Sequence, residues 1–142
     1  MSDSQWIWRC EHVIPSRTEE SRRIQDEILE QMQRLQWGEH DVFSVRLAME
    51  EALINAIKHG NHYDPGKQVQ ITCCMSPDLI RLEVEDQGRG FDLASVPDPT
   101  DPDNLESPCG RGIMLMRSFM SKVEFNPSGN RVVLERERTP PE

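Results

Sequence analysis

Two strand-like runs, residues 69–75 and 79–86, are separated by only Ser76-Pro77-Asp78. A connection that short joins strands only as antiparallel neighbours. The pattern recurs near the C-terminal end, where 122–125 and 131–136 flank the turn Asn126-Pro127-Ser128-Gly129-Asn130. A further strand is read over 5–13, which is rich in aromatic and β-branched residues and is ended by Pro15 and Ser16. Between that strand and the first hairpin the period changes from two to 3.6. Ile24, Ile28, Met32 and Leu35 line one face of a helix reaching about Trp37, opened by Ser16 and Glu19 at capping-box spacing. Val42, Val45, Met49, Ala52, Leu53 and Ala56 form the stripe of a second helix over about 41–59, stopped by Gly60-Asn61. Ile113, Met116, Phe119 and Met120 suggest a short third helix. The order strand, two helices, hairpin, long loop, helix, hairpin implies an α+β two-layer sandwich: a mixed, mainly antiparallel sheet with helices on one face.

Length and charge narrow the function classes. The 142 residues suit a single domain over 1–142 with a core of its own, and 16 Lys and Arg against 25 Asp and Glu give a net charge of −9. Such acidity argues against binding nucleic-acid phosphates or anionic lipid. No charge-free apolar run reaches the length of about 18 residues that a membrane span needs, and the N-terminal stretch has no signal-peptide pattern. A cytoplasmic location is expected. Cys10, Cys73, Cys74 and Cys109 fit no disulfide framework and read as reduced thiols.

Three chemistry-bearing features follow one another. Glu51 and Asn55, four apart, project from one helix face beside the apolar stripe and offer a proton acceptor and an oxygen ligand for a hard cation. Asp86-Gln87-Gly88-Arg89-Gly90 closes a strand: the carboxylate can accept a hydrogen bond from an exocyclic amine, and the glycines let backbone approach a flat ring. After a proline-rich stretch over about 92–109, Gly110-Arg111-Gly112 opens a helix, where free N–H groups favour phosphate. Each alone is a common turn or a solvated face. No P-loop or Rossmann fingerprint is present.

In this order, E-x-x-x-N, D-x-G-x-G, a long loop and G-x-G resemble the N box, G1 box, ATP lid and G2 box of the GHKL ATPases. The segments 50–61 and 109–120 are most similar to the anti-sigma factor serine kinases of the RsbW and SpoIIAB type, and the likeness spans essentially the whole chain. The resemblance implies a GHKL ATPase fold with Glu51 as general base and Asn55 as a Mg²⁺ ligand. It further implies that Asp86 reads adenine, that Gly88 and Gly90 make room for it, and that Gly110, Arg111 and Gly112 meet the phosphates of ATP. A Thr common in relatives' final hairpin is replaced by Gly129-Asn130-Arg131, and His59 is expected to be structural. The implied activity is transfer of phosphate from Mg-ATP to a serine of an anti-anti-sigma STAS-domain partner. A homodimer would sequester a sigma factor.

The alternative is an ATP-binding regulatory module that acts by nucleotide-dependent association without phosphotransfer. Calcium at Asp98, Asp101, Asp103 and Asn104, and zinc at Cys73, Cys74, His59 and His62, lack the usual ligand spacings. Charge adds a constraint: between residues 83 and 106 eight acidic residues face one basic residue, Arg89. A triphosphate beside them would be repelled without an intervening cation, so nucleotide binding should depend steeply on Mg²⁺.

Overall fold

The computed structural model describes residues 5–88 and 108–140. Five strands, β1 (Trp8–Pro15), β2 (Gln68–Met75), β3 (Leu79–Glu85), β4 (Lys122–Phe125) and β5 (Arg131–Glu137), form one sheet in the order β1-β2-β3-β5-β4. Every pairing among them is antiparallel, so the mixed sheet expected from the sequence contains no parallel pair among the described residues. The helices are α1 (Thr18–Arg34), α2 (Glu39–Ile54), a π-helical turn (Asn55–Gly60) and α3 (Pro108–Phe119).

Register explains why one face is buried. Ile14 pairs with Val69, Ile71 with Val84, Cys73 with Leu82, and Met75 with Ile80, while Val84 and Leu82 pair onward with Val132 and Leu134. These rows share a side of the pleat and form the floor of the core. Ile24, Ile28 and Met32 of α1, and Val45, Met49, Ala52 and Leu53 of α2, cover it as the helical spacing predicts. Ile113 and Met116 of α3 complete the cover beside α2. The opposite face is polar, with Arg131 donating to Glu83 at 2.7 Å and Arg81 within 3.1 Å of Glu83.

One charge is buried under the helices. Asp41, in the first turn of α2, accepts from Arg136 Nε at 2.8 Å and from the Thr139 hydroxyl and N–H at 2.7 and 3.0 Å. Burial raises the cost of that carboxylate, but the Thr139 and Arg136 bonds outweigh it and hold its pKa below the usual range. The C-terminal strand is thereby tied to the start of α2.

The structure revises several boundaries. The first strand begins at Trp8 and runs through Pro15, which pairs with Gln68; β1 is an edge strand, where a missing N–H breaks no inner ladder. Ser16 does not cap α1. Its hydroxyl donates to Lys67 O at 2.9 Å and accepts from Asn61 Nδ2 at 3.0 Å, so Arg17 stands at the N-cap without a side-chain bond. Helix α1 stops at Arg34, short of Trp37, because Gln36 takes a left-handed φ of 62°. Cys10, Cys73 and Cys74 are free thiols, and burial, with the Glu27 carboxylate adding to it, pushes Cys10 up to about 12. Among the described residues no helix is long and apolar enough to cross a membrane.

Candidate functional site

Helix α2 does not end at Ile54 but loosens into a π-helical turn, in which Asn61 N–H donates to Ala56 O, five residues back, at 2.9 Å. Such turns recur at functional sites. Here the turn delivers Asn55, Ala56 and His59 to a cleft also lined by Val84 and Asp86 of the β3 end, Met116 of α3, Phe125 of β4 and the Gly129–Val132 stretch. The cleft has an open mouth, and its walls are mostly apolar. An aromatic base is the kind of group such a slot accepts.

The Asp86 end of the cleft is closely fitted. Asp86 is 8% exposed, its Oδ1 accepts from Gly88 N–H at 2.8 Å, and its own N–H donates to Asn130 O at 2.9 Å. A Cβ on Gly60 would lie 2.3 Å from Asp86 Oδ2, and one on Gly88 would lie 2.0 Å from Gly60 O. Neither distance is possible without displacing backbone or carboxylate, so both positions need glycine. Burial raises the Asp86 pKa, the neighbouring Glu85 charge adds to this, and the Gly88 N–H and Lys67 oppose it. One oxygen is thus committed to the turn while the carboxylate borders the slot.

Beneath that end lies Asn61, fully buried. Its amide donates to Gln68 O at 2.9 Å and to Ser16 Oγ at 3.0 Å, and its Oδ1 accepts from Gln87 N–H at 2.8 Å. One side chain pins the turn after β3 to the start of β2 and to the end of β1. The sequence marked Asn61 only as part of a helix stop, since its partners are 7, 26 and 45 residues away.

At the other end Glu51, Asn55 and Gly112 converge. A Cβ on Gly112 would lie 2.9 Å from Glu51 Oε2 and 3.3 Å from Asn55 Nδ2, so α3 approaches α2 with the carboxylate and the amide against its backbone. Asn55 Nδ2 is buried and has no hydrogen-bond partner among the described residues. A buried amide left so costs about 1–3 kcal/mol unless something occupies its donor. The side chain at this end is fitted to a group with acceptor oxygens.

Of the residues singled out in the sequence, Asn55 and Asp86 line this cleft, Gly88 packs against Asp86, and Glu51 and Gly112 meet beside Asn55. Gly110 and Arg111 belong to the first turn of α3, which starts at Pro108, two residues before the glycine expected to open it. Gly90, the lid up to residue 107 and the acidic group Asp98, Asp101, Asp103 and Asn104 lie outside the described residues. Gly129-Asn130-Arg131 does line the cleft, and Asn130 Nδ2 reaches Asp86 O at 3.3 Å. Val84, Met116 and Phe125 were not legible as walls, because at helical or strand spacing they read as core. His59 also lines the cleft; burial, then the charges of Lys58 and His62, lower its pKa.

Comparison with known proteins gives the family. The family described as histidine kinase-like ATPase domain matches residues 14–136. An anti-sigma F factor of Oceanobacillus iheyensis is 32% identical over 87 residues, 59% of this chain and 59% of that protein. The serine-protein kinase RsbW of the same organism is 25% identical over 99 residues, 66% of this chain and 63% of its own length. An anti-sigma F factor of Clostridium perfringens is 30% identical over 102 residues, covering 68% and 72%. The first two matches thus span about three fifths of those relatives' length. Among solved structures, the RsbU and RsbW domains of a Mycobacterium tuberculosis protein superpose with a TM-score of 0.61 at 14% identity, over 94% of this chain and 33% of that one, a likeness of fold. The chain belongs to the histidine kinase-like ATPase domain family, in its anti-sigma F factor and RsbW branch.

Proposed function

We propose that the protein is an ATP-dependent serine/threonine protein kinase of the anti-sigma type, which phosphorylates a serine of a STAS-domain anti-anti-sigma partner and, as a homodimer in the cytoplasm, sequesters a sigma factor. The observation that carries the reading is that Asn55, met by Glu51 and Gly112, and Asp86, backed by Gly88, line one cleft. Three motifs, with Asp86 35 residues after Glu51 and Gly112 26 residues after Asp86, thereby serve one ligand. The relatives named anti-sigma F factor and serine-protein kinase support the same assignment.

The residues suit the nucleotide. Adenine would enter the apolar slot, its exocyclic amine donating to Asp86, with the absence of side chains at Gly60 and Gly88 keeping that carboxylate in position. The free N–H groups at the start of α3, Gly110 among them, are suited to phosphate, with Gly112 letting the helix approach closely. The orphaned Asn55 amide fits a site with oxygen ligands: Oδ1 would hold Mg²⁺ and Nδ2 would donate to phosphate. Bound Mg²⁺ offsets the triphosphate charge and so favours the developing charge of transfer.

Glu51 performs the proton step. Its carboxylate accepts the hydroxyl proton as the serine oxygen bonds to the γ-phosphorus, and the bond from that phosphorus to the bridging oxygen breaks to release ADP. The rest is positioning: Gly112 brings α3 against Glu51 and Asn55, so acceptor and metal ligand meet the same phosphate.

The test incubates the chain with Mg-ATP and a STAS-domain protein. Phosphoserine on the partner, lost in Glu51→Gln, is expected. Tight ATP binding with no product from any such partner would overturn the kinase and leave a nucleotide-dependent binding module.

A further inference from the structure

Strand β1 turns Trp8, Cys10, His12 and Ile14 towards the helices, in alternation with exposed Arg9, Glu11 and Val13. On α1, Glu27 stands one residue from the buried Ile28 and three from Ile24, at the border between the covered and the solvated face. The thiol of Cys10, an imidazole nitrogen of His12 and a carboxylate oxygen of Glu27 therefore meet across the β1–α1 junction, all within 4.8 Å of one another. None of the three lines the nucleotide cleft.

The chemistry of the trio is unusual for packing. His12 Nε2 lies 2.7 Å from Glu27 Oε2. Even so, this nitrogen is shielded from solvent and has no properly directed hydrogen bond. A sulfur, a nitrogen and an oxygen donor of different softness around one point match a borderline cation such as zinc, and not Mg²⁺ or Ca²⁺, which select oxygen alone.

We propose that Cys10, His12 and Glu27 form a binding site for a divalent transition metal of the zinc type, separate from the nucleotide site. A tetrahedral ion with bonds of roughly 2.0–2.3 Å holds its donors about 3.3–3.7 Å apart, so the His12–Glu27 pair at 2.7 Å has to open and a pair at the 4.8 Å limit has to close, each by about an ångström or less, a side-chain adjustment. Charge supports the assignment: a thiolate, a carboxylate and a neutral imidazole balance a 2+ ion. Access supports it too, since the Glu27 side chain is 44% exposed and the His12 side chain 26%. On binding, Cys10 gives its thiol proton to solvent and His12 keeps its other nitrogen protonated. The ion joins the edge strand of the sheet to the first helix.

The experiment titrates the full chain, free of any affinity tag and reduced with a phosphine, with Zn²⁺ against a chromophoric chelator, and with Co²⁺ by absorption. One metal per chain is expected, with a thiolate-to-cobalt charge-transfer band. Cys10→Ser should remove the band, and His12→Gln or Glu27→Gln should weaken Zn²⁺ binding more than about 100-fold. Cys74→Ser should change neither. Glu27 is exposed enough that its variant keeps its fold, which circular dichroism checks. Absence of stoichiometric metal, a band that survives Cys10→Ser, or Zn²⁺ affinity unchanged in Glu27→Gln overturns the site.

Discussion

The two ends of the nucleotide cleft are built in opposite ways. Around Asp86 the polar groups are paired, and Asn61 alone makes three side-chain bonds that tie a turn to two strands. Around Asn55 the amide is buried and partnerless. One end is finished by folding and the other is left for its ligand. Functional residues are therefore found less by how well they fit than by what they leave unsatisfied.

The largest expected effect lies at the second end. Glu51→Gln should slow phosphotransfer by about 10²–10⁴-fold while leaving the affinity for ATP within about twofold, because a general base acts only in the transition state. Single-turnover transfer and equilibrium nucleotide binding, measured side by side, separate the two. A parallel loss of both would mean that Glu51 holds the nucleotide.

The contrast between the two asparagines is sharpest in stability. Asn61→Ala strands Gln87 N–H and Gln68 C=O and should cost about 2–3 kcal/mol in urea unfolding. Asn55→Ala deletes an amide nitrogen with no partner and should be neutral or stabilising. Equal losses for the two would break the comparison. Next in size is Gly88→Ala, whose Cβ would collide with Gly60 O and should cost about 1–3 kcal/mol as well as weakening ATP. Gly38→Ala, which meets nothing within 4 Å, is the control.

Most of this architecture was legible in the chain because periodicity reports burial. The stripes Ile24, Ile28, Met32 and Val45, Met49, Ala52, Leu53 are buried as read, and both hairpins form where short turns demanded them. What was hidden depends on distant partners. Ser16 has the right spacing to cap α1, but Lys67 and Asn61 claim its hydroxyl. The π-helical turn leaves the apolar spacing nearly unchanged, since one residue of slippage over a single turn is too little to register. For the site, the motifs were readable only as a set. Asp86 with Gly88 is an ordinary turn signature until Gly60, 26 residues earlier, is found pressed against the carboxylate.

A smaller effect follows from the buried Asp86. Its pKa is raised, so the ionised form that would accept from adenine in the proposed site is lost as pH falls, beginning above the ordinary carboxylate range. ATP affinity should decline through that window, by up to about tenfold per pH unit below it. In Asp86→Asn the decline should vanish. Stability moves the opposite way: the buried charge is a cost at neutral pH that disappears as pH falls through the raised pKa.

The central claim is that one cleft holds adenine at Asp86 and the metal-bound phosphates at Asn55, and ATP affinity with and without Mg²⁺ tests it most directly in the wild type, Asp86→Ala and Asn55→Ala. The wild type should bind far more tightly with Mg²⁺. Asp86→Ala should be weak in both conditions, and Asn55→Ala should lose the Mg²⁺ enhancement. Wild-type affinity in Asp86→Ala, or an undiminished Mg²⁺ effect in Asn55→Ala, would contradict the account.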